Sequence, residues 1–381
     1  MKPFSHSGYT TVLSLALSAA FSNSALAQNL PTSQSTQLKP VVVTATREDT
    51  RADELVSEVV VITRADIEAN AGRTLTELLS RQAGVQLTSN GGLGKYSSAF
   101  VRGTESRHTI LLVDGVRVGS ATTGAPSWDN IPLDMVERIE VLKGPASALY
   151  GSEAVGGVVQ VFMKKGVKGF VPSASLTLGS HSHIQAAAGL RGGDGALSYA
   201  FGVQRAQDKG FSATNSKAAF GNYNADKDGF KQDAVNASVS YQINPNWNVD
   251  AGLLYADSVN HFDDTLTSDT RAAVRTQTLH AGLTGKVMPI WKTALRASQS
   301  LDRARDIESA FMPSVFNTQQ DQITWQNNVD TPVGVVMVGA ERLTQKVAGS
   351  TAYDVTQRSV NSVFAAVSYT HLRAHETVLD L

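Results

Sequence analysis

The chain has 381 residues, a formal net charge of −1 and no cysteine. That length suits two domains, or one domain plus part of a larger one; the charge removes any broad electrostatic case for a nucleic-acid partner, and the missing thiols exclude disulfide frameworks and thiolate metal centres. No apolar run approaches the ~20 residues of a membrane helix, so a membrane-spanning form of this chain has to be a closed β-barrel, the other structure that satisfies its backbone polar groups in lipid.

Residues 1–27 read as a secretory signal: Lys2 opens it, 12–21 is the apolar core, and Ala25-Leu26-Ala27 is a small-x-small cleavage site. Residues 28–54 form an arm whose first part, rich in Ser, Thr and Gln, has little to bury and is expected to be mobile. Within it stands the β-branched run Pro40-Val41-Val42-Val43-Thr44-Ala45-Thr46, followed by Arg47-Glu48-Asp49. Such a run can add a strand to a partner's exposed sheet edge, or serve as an edge strand of its own domain. Its place at the end of a mobile arm favours the first.

Residues 55–168 form a compact α+β domain. A strand is expected at 59–62, and Thr63-Arg64-Ala65-Asp66 and Thr74-Leu75-Thr76-Glu77 both fit the capping-box pattern. Leu75, Leu78 and Leu79 then make an apolar helical stripe that Gly84 ends. Strands follow at 99–102, 109–113, 116–118 and 136–142, with Asp114-Gly115 as a two-residue hairpin turn. The segment 142–159 looks like a joint: Pro145 opens one helical turn, Gly151 closes it in a left-handed conformation, and Gly156-Gly157 allow close backbone approach before the next strand.

From residue 172 the period becomes two. Leu197, Tyr199, Phe201 and Val203 alternate with Ser198, Ala200, Gly202 and Gln204; Val235, Ala237, Val239, Tyr241 and Ile243 alternate with Asn236, Ser238, Ser240 and Gln242. An apolar face backed by small polar residues suits a wall between lipid and a wet lumen, whereas a soluble sandwich is the other reading. Loop lengths decide between them. The short turns 192–195, 244–246, 288–290 and 331–332 alternate with the long loops 210–232, 259–272, 306–320 and 347–358, as periplasmic turns alternate with extracellular loops in outer-membrane barrels. Trp247 and Trp291 each follow a short turn, where an interfacial girdle belongs. Ten strands are expected: 173–179, 183–191, 196–208, 233–243, 247–258, 273–286, 291–305, 321–330, 333–346 and 359–369. Residues 370–381 break the alternation and read as a non-native tail.

Two neighbouring long loops carry the densest acidic set, Asn224-Ala225-Asp226-Lys227-Asp228-Gly229 and Phe262-Asp263-Asp264 with the later Asp269. By spacing alone a solvated acidic loop is favoured, with a calcium site as the other reading. Hydroxyls and backbone groups that could read a large amide-bearing ligand cluster at Tyr96-Ser97-Ser98, at Thr104-Glu105 and in the loop 119–128, which includes Thr123 and Gly124; ordinary turn composition would look the same. Gly91-Gly92-Leu93-Gly94-Lys95 lacks the spacing of a phosphate loop, and His371 and His375 lack the internal glutamate of a metalloprotease motif. With no Ser/His/Asp set in a recognisable context either, the chain does not read as an enzyme.

The string Leu142-Lys143-Gly144-Pro145-Ala146-Ser147-Ala148-Leu149-Tyr150-Gly151-Ser152-Glu153-Ala154-Val155-Gly156-Gly157, with Ala83-Gly84-Val85, Phe100-Val101-Arg102-Gly103 and Leu112-Val113-Asp114-Gly115-Val116, resembles the plug domain of TonB-dependent outer-membrane receptors. The resemblance implies an α+β plug inside an antiparallel transmembrane β-barrel, here with about ten of ~22 strands present, and the outer membrane of a Gram-negative cell as its location. It implies that residues 40–46 are the TonB box, where the periplasmic TonB energy-coupling protein pairs, and that membrane lipid and a small-molecule ligand are the remaining partners. It is nearest to the vitamin B12 receptors of the family, so the implied ligand is cobalamin; an iron chelate, or a surface receptor or adhesin without transport, are the alternatives. No cofactor is required. Positions matching the subgroup's structural calcium ligands are Asp226, Asp228, Asp263 and Asp269, with Asn224 as helper, and Ser212 stands where a further carboxylate occurs; Tyr96, Ser98 and Glu105 match positions that contact cobalamin, Glu105 replacing an amide residue.

Overall fold

The computed structural model describes residues 41–42, 44, 47, 50–51, 57–218, 223–265, 269–309, 314–332 and 334–368. The expected signal, residues 28–39, Pro40, Val43, Ala45, Thr46 and the expected tail lie outside them.

The arm contributes two short strands, β1 (Val41–Val42) and β2 (Thr50–Arg51), paired antiparallel. The inner domain follows with β3 (Glu58–Ile62), α1 (Arg64–Ala69), α2 (Leu75–Ser80), β4 (Val85–Ser89), β5 (Ser97–Val101), β6 (Thr109–Val113), β7 (Val116–Val118), β8 (Val136–Lys143), α3 (Ser147–Tyr150) and β9 (Gly157–Met163). Both capping boxes form: the Asp66 N–H donates to Thr63 Oγ1 at 3.3 Å while the Thr63 N–H donates to Asp66 Oδ2 at 2.8 Å, and Thr74 and Glu77 repeat the exchange at 3.2 and 3.0 Å. Each satisfies two N-terminal donors that the helix itself leaves open. The stripe Leu75, Leu78 and Leu79 is buried. Helix α2 ends at Ser80, capped by Arg81, so Gly84 serves the next strand instead: its carbonyl accepts the Arg102 N–H at 2.7 Å.

Five strands form a mixed sheet in the order β3-β8-β9-β6-β7, in which β6 and β9 are parallel and the other pairs antiparallel; β4 and β5 make a separate hairpin. Both faces of the sheet are covered. One packs Leu111, Val113, Ile139, Val141, Val159 and Val161 against α2 and Trp128, and this core runs on into the surrounding wall through Ala234, Leu254 and Ala256. The other packs Ile110, Leu112, Leu142 and Val158 against Ala146, Tyr150 and Ala154 of the joint segment. In that segment Ala146, not Pro145, is the N-cap, and Gly151 lies at φ +88°, ψ 177°. The positive φ is as expected, but the extended ψ belongs to a region open only to glycine.

The wall is one antiparallel sheet of ten strands in sequence order: β10 (Gly169–Gly179), β11 (His183–Gly193), β12 (Leu197–Asp208), β13 (Phe230–Asn244), β14 (Trp247–Phe262), β15 (Thr270–Met288), β16 (Trp291–Ile307), β17 (Val315–Thr331), β18 (Gly334–Gly349) and β19 (Gln357–Ser368). β10 and β19 are not paired with each other among the described residues, so the wall is open there. All ten strands lie where the period of two places them, but the ladder runs further than expected at the loop end. The loops expected at 259–272, 306–320 and 347–358 shorten to the stretches between Phe262 and Thr270, Ile307 and Val315, and Gly349 and Gln357.

The concave face is polar and touches the inner domain along its whole sweep. Ser175 and Gln185 donate to Asp134, Arg191 pairs with Glu137, Ser127 donates to Asp302, and the Ala121 N–H donates to Thr318. At the centre Asn130 Nδ2 donates to Ala256 O at 3.1 Å and Thr276 Oγ1 at 3.0 Å, while Gln232 Nε2 donates to Asn130 Oδ1 at 3.0 Å. The convex face exposes Leu176, Phe201, Val239, Tyr241, Leu279, Leu295, Ile323 and Val363. A contiguous apolar outer face around a polar, filled interior inverts the usual arrangement of a protein in water and fits lipid outside and water within. Trp247 and Trp291 open β14 and β16 directly after short turns, and Trp325 joins them, its Nε1 donating to Thr293 Oγ1 at 3.0 Å.

Candidate functional site

The acidic loops come together. Asp226, Asp228 and Asp263 each present an oxygen within 4.8 Å of the others. Asp228 is buried and accepts the Ala213 N–H at 3.1 Å; burial pushes its carboxyl pKa up. Asp263 Oδ2 accepts from Ser212 Oγ at 3.0 Å and from Thr214 Oγ1, while its Oδ1 is buried with no hydrogen-bond partner. Asn224 Nδ2 donates to Asp226 Oδ2 at 3.2 Å, which places it beside the set as a donor. Asp269 does not join the cluster: its carboxylate pairs with His261 Nδ1 at 2.6 Å and lies 3.9 Å from Arg271 Nε. A cation two residues away along the start of β15 offers it a nearer partner than the other carboxylates.

Lys95, read from sequence only as part of a failed phosphate loop, reaches this region from the inner domain. It is buried, and its ammonium donates to Asp228 O at 3.3 Å and to His261 O. Burial pulls its pKa down, opposed by the carboxylates of Asp228, Asp263, Asp208 and Asp226.

The expected ligand residues divide. Tyr96 is exposed at the tip of the β4–β5 hairpin. Ser97 points inward, its hydroxyl donating to Asp129, whose carboxyl pKa burial raises; it is a packing residue of the hairpin rather than a group at the surface. Ser98 is also buried. Glu105 is exposed and pairs with Arg107 at 2.5 Å. Thr123 and Gly124 sit in a turn closed by the Gly124 N–H donating to Ser120 O at 2.9 Å, and the same loop is fastened to β17 where Gln320 Nε2 donates to Gly119 O at 2.9 Å. Arg107 packs under Gly124, and the two line one groove with Ser120 and Gln320; Glu105 and Thr123 do not line it.

The described residues of the arm are docked, where a free strand was expected. Val42 and Thr44 are wholly buried. The Thr44 N–H and Oγ1 donate to Glu140 Oε2 at 2.9 and 2.7 Å, and Tyr150 Oη donates to Thr44 O at 2.9 Å. Burial raises the Tyr150 pKa to about 12, which keeps the phenol a donor. Arg47 lies over the rings of Tyr150 and Phe364, 4.6 and 4.7 Å from their centroids, and 3.5 Å from Glu341 Oε2; Gln326 Nε2 donates to its carbonyl at 3.1 Å. Arg47 therefore clamps the arm to the inner domain and to β17, β18 and β19 at once. Glu153 ties the same corner, pairing with Arg117 at 2.7 Å and Arg358 at 2.9 Å. Sequence reading missed these partners, which lie far along the chain. The one available signal was Glu140, a carboxylate inside the buried run Ile139–Leu142, where an ionised group needs a partner.

The TonB-dependent Receptor Plug Domain family matches residues 51–158. Over 336 residues the chain is 31% identical to the vitamin B12 transporter BtuB of Vibrio cholerae, covering 86% of this chain and 54% of that one. The siderophore receptor PirA of Acinetobacter baumannii superposes with a TM-score of 0.67 at 18% identity, over 82% of this chain and 54% of that one. A single-site mutant of the ferric enterobactin receptor PfeA of Pseudomonas aeruginosa superposes with a TM-score of 0.65 at 20% identity, over 86% and 56%. The chain spans about half the length of the relatives it matches. A plug domain seated by hydrogen bonds in a lipid-facing antiparallel wall, with relatives alike across both parts, makes residues 51–158 a TonB-dependent receptor plug domain and the chain as a whole similar to outer-membrane receptors of that kind.

Proposed function

We propose that the protein is an energised uptake receptor. It binds a scarce large ligand, cobalamin before any other, on the plug tips and extracellular loops, and passes it inward when TonB draws on residues 40–46. The observation that carries this reading is the docked arm. Thr44 and Arg47 hold the described part of the arm against both plug and wall through contacts that a pull can break one after another. A strand captured by a partner's sheet edge loads its hydrogen bonds together, so the partner's grip can outlast the arm's own contacts. Cobalamin is favoured by the similarity in sequence to vitamin B12 transporters; the siderophore receptors share the fold at 18–20% identity, which speaks for architecture alone.

Calcium fits the loop set. Three carboxylates converge, Asp263 Oδ1 lacks a partner, and the Ser212 and Thr214 hydroxyls lie beside it. Asp226, Asp228 and Asp263 would hold the ion, which would neutralise their charge and satisfy their oxygens. Calorimetry of the complete receptor against cyanocobalamin and against ferric chelates tests the ligand. Tight cobalamin binding supports the reading. Chelate binding alone moves it to a siderophore receptor, and binding of either without uptake moves it to a surface receptor.

A further inference from the structure

The tip of the β4–β5 hairpin is packed beneath the loop between β12 and β13 more closely than side chains allow. A Cβ on Gly91 would lie 2.8 Å from Ala213 Cβ, on Gly92 3.2 Å from the Phe211 ring, and on Gly94 2.0 Å from the Phe230 ring. Three glycines thus bring the backbone of the tip against that loop. Lys95 follows them directly, 4% exposed, and its ammonium reaches across to the carbonyls of Asp228 and His261, one at the base of each acidic loop. The negative charges that act on it are Asp208, Asp226, Asp228 and Asp263, all from wall strands and their loops. A buried ammonium placed among carboxylates is held there by them, and removing it would leave those charges crowded and unneutralised.

We infer that Lys95 is a built-in counter-cation that fastens the plug tip to both acidic loops, so that the loops stay ordered over the ligand face without a bound divalent cation, and a divalent cation competes with the ammonium for the field of Asp226, Asp228 and Asp263. The inference goes beyond the uptake reading and does not depend on which ligand is carried; its competition half rests on the calcium reading above. It makes Lys95 a positioning residue. Its neighbour Tyr96 is exposed on the same tip, so the tie fixes the distance between a ligand-facing side chain and the loops above it.

The test uses the full chain in outer-membrane lipid with a nitroxide at Ser216→Cys, an exposed position of the β12–β13 loop in a protein without cysteine of its own. With calcium chelated, the unsubstituted chain should give a slow, ordered spectrum, and Lys95→Gln should raise the mobile-to-ordered ratio about tenfold, within the usual range for coupled sites. Lys95→Arg should keep the ordered spectrum. Terbium luminescence should then half-saturate in Lys95→Gln at a concentration about tenfold lower than with Lys95 present. Identical chelated spectra for Lys95 and Lys95→Gln would overturn the inference. Loosened loops with unchanged terbium affinity would overturn the competition half. If Lys95→Gln loosens the loops and neither protein binds terbium, the fastening stands and the calcium reading fails.

Discussion

Arg47→Ala should release the arm. Arg47 and Glu341 are both nearly buried and lie 3.5 Å apart, and the guanidinium sits over two rings. Each cation–π contact contributes about 1–1.5 kcal/mol at this nearly buried site. The ion pair adds about 1 kcal/mol once desolvation is set against it. The buried Arg47 Nε has no acceptor, which takes back about 1 kcal/mol. The net is about 2–3 kcal/mol, a factor of about 30–150 in the docking equilibrium. Because the chain has no cysteine, Val42→Cys gives a single probe at a wholly buried position. Its maleimide labelling rate reports the undocked fraction, and should rise about 30–150-fold with Arg47→Ala. Glu341→Gln keeps both rings and should give about fivefold. The reasoning is refuted if Val42→Cys labels at the rate of a denatured chain while Arg47 is intact, or if Arg47→Ala leaves the rate unchanged.

Three further outcomes follow from the packing. Asn130→Ala leaves Gln232 and Thr276 without their shared partner between plug and wall, and should cost about 2–4 kcal/mol, read as a lower denaturation midpoint. Gly151→Ala forces a side chain into a glycine-only conformation while its new Cβ meets only Arg117 Nη2 at an ordinary 3.9 Å, so the loss of about 1–3 kcal/mol would be backbone strain; a midpoint equal to that of the unsubstituted chain would contradict that strain. Glu58 has its pKa lowered first by the Lys143 hydrogen bond and then by that of Arg102. Its contribution is therefore present above the unfolded value of 4.5 and lost as pH falls through the lowered folded value. Glu58→Gln should flatten the fall in thermal midpoint on that acid side and leave its neutral-pH slope unchanged.

The wall was legible because lipid and lumen impose a period of two that no local propensity obscures. Its loop ends were not, for a specific reason. The residues the ladder adds there include Asn260, Thr270, Thr318 and Gln320, all polar and buried. Their alternation carries no apolar signal, so a period of two in hydrophobicity does not mark them. Both capping boxes were legible because their chemistry is complete within four residues. The docked arm was not, since Thr44 finds Glu140 and Arg47 finds Glu341 only once the chain has folded around them. The acidic loops lie between these cases. Asp226, Asp228 and Asp263 converge although their spacing alone favoured a solvated loop, whereas Asp269 is taken by His261 and Arg271, partners that no spacing rule weighs.

The most direct test of energised uptake is accumulation of radiolabelled cyanocobalamin by a Gram-negative host that lacks its own receptor and carries the complete protein, with and without residues 40–46. Uptake that vanishes on deletion while surface binding persists is the predicted result. Uptake undiminished without those residues would contradict the account.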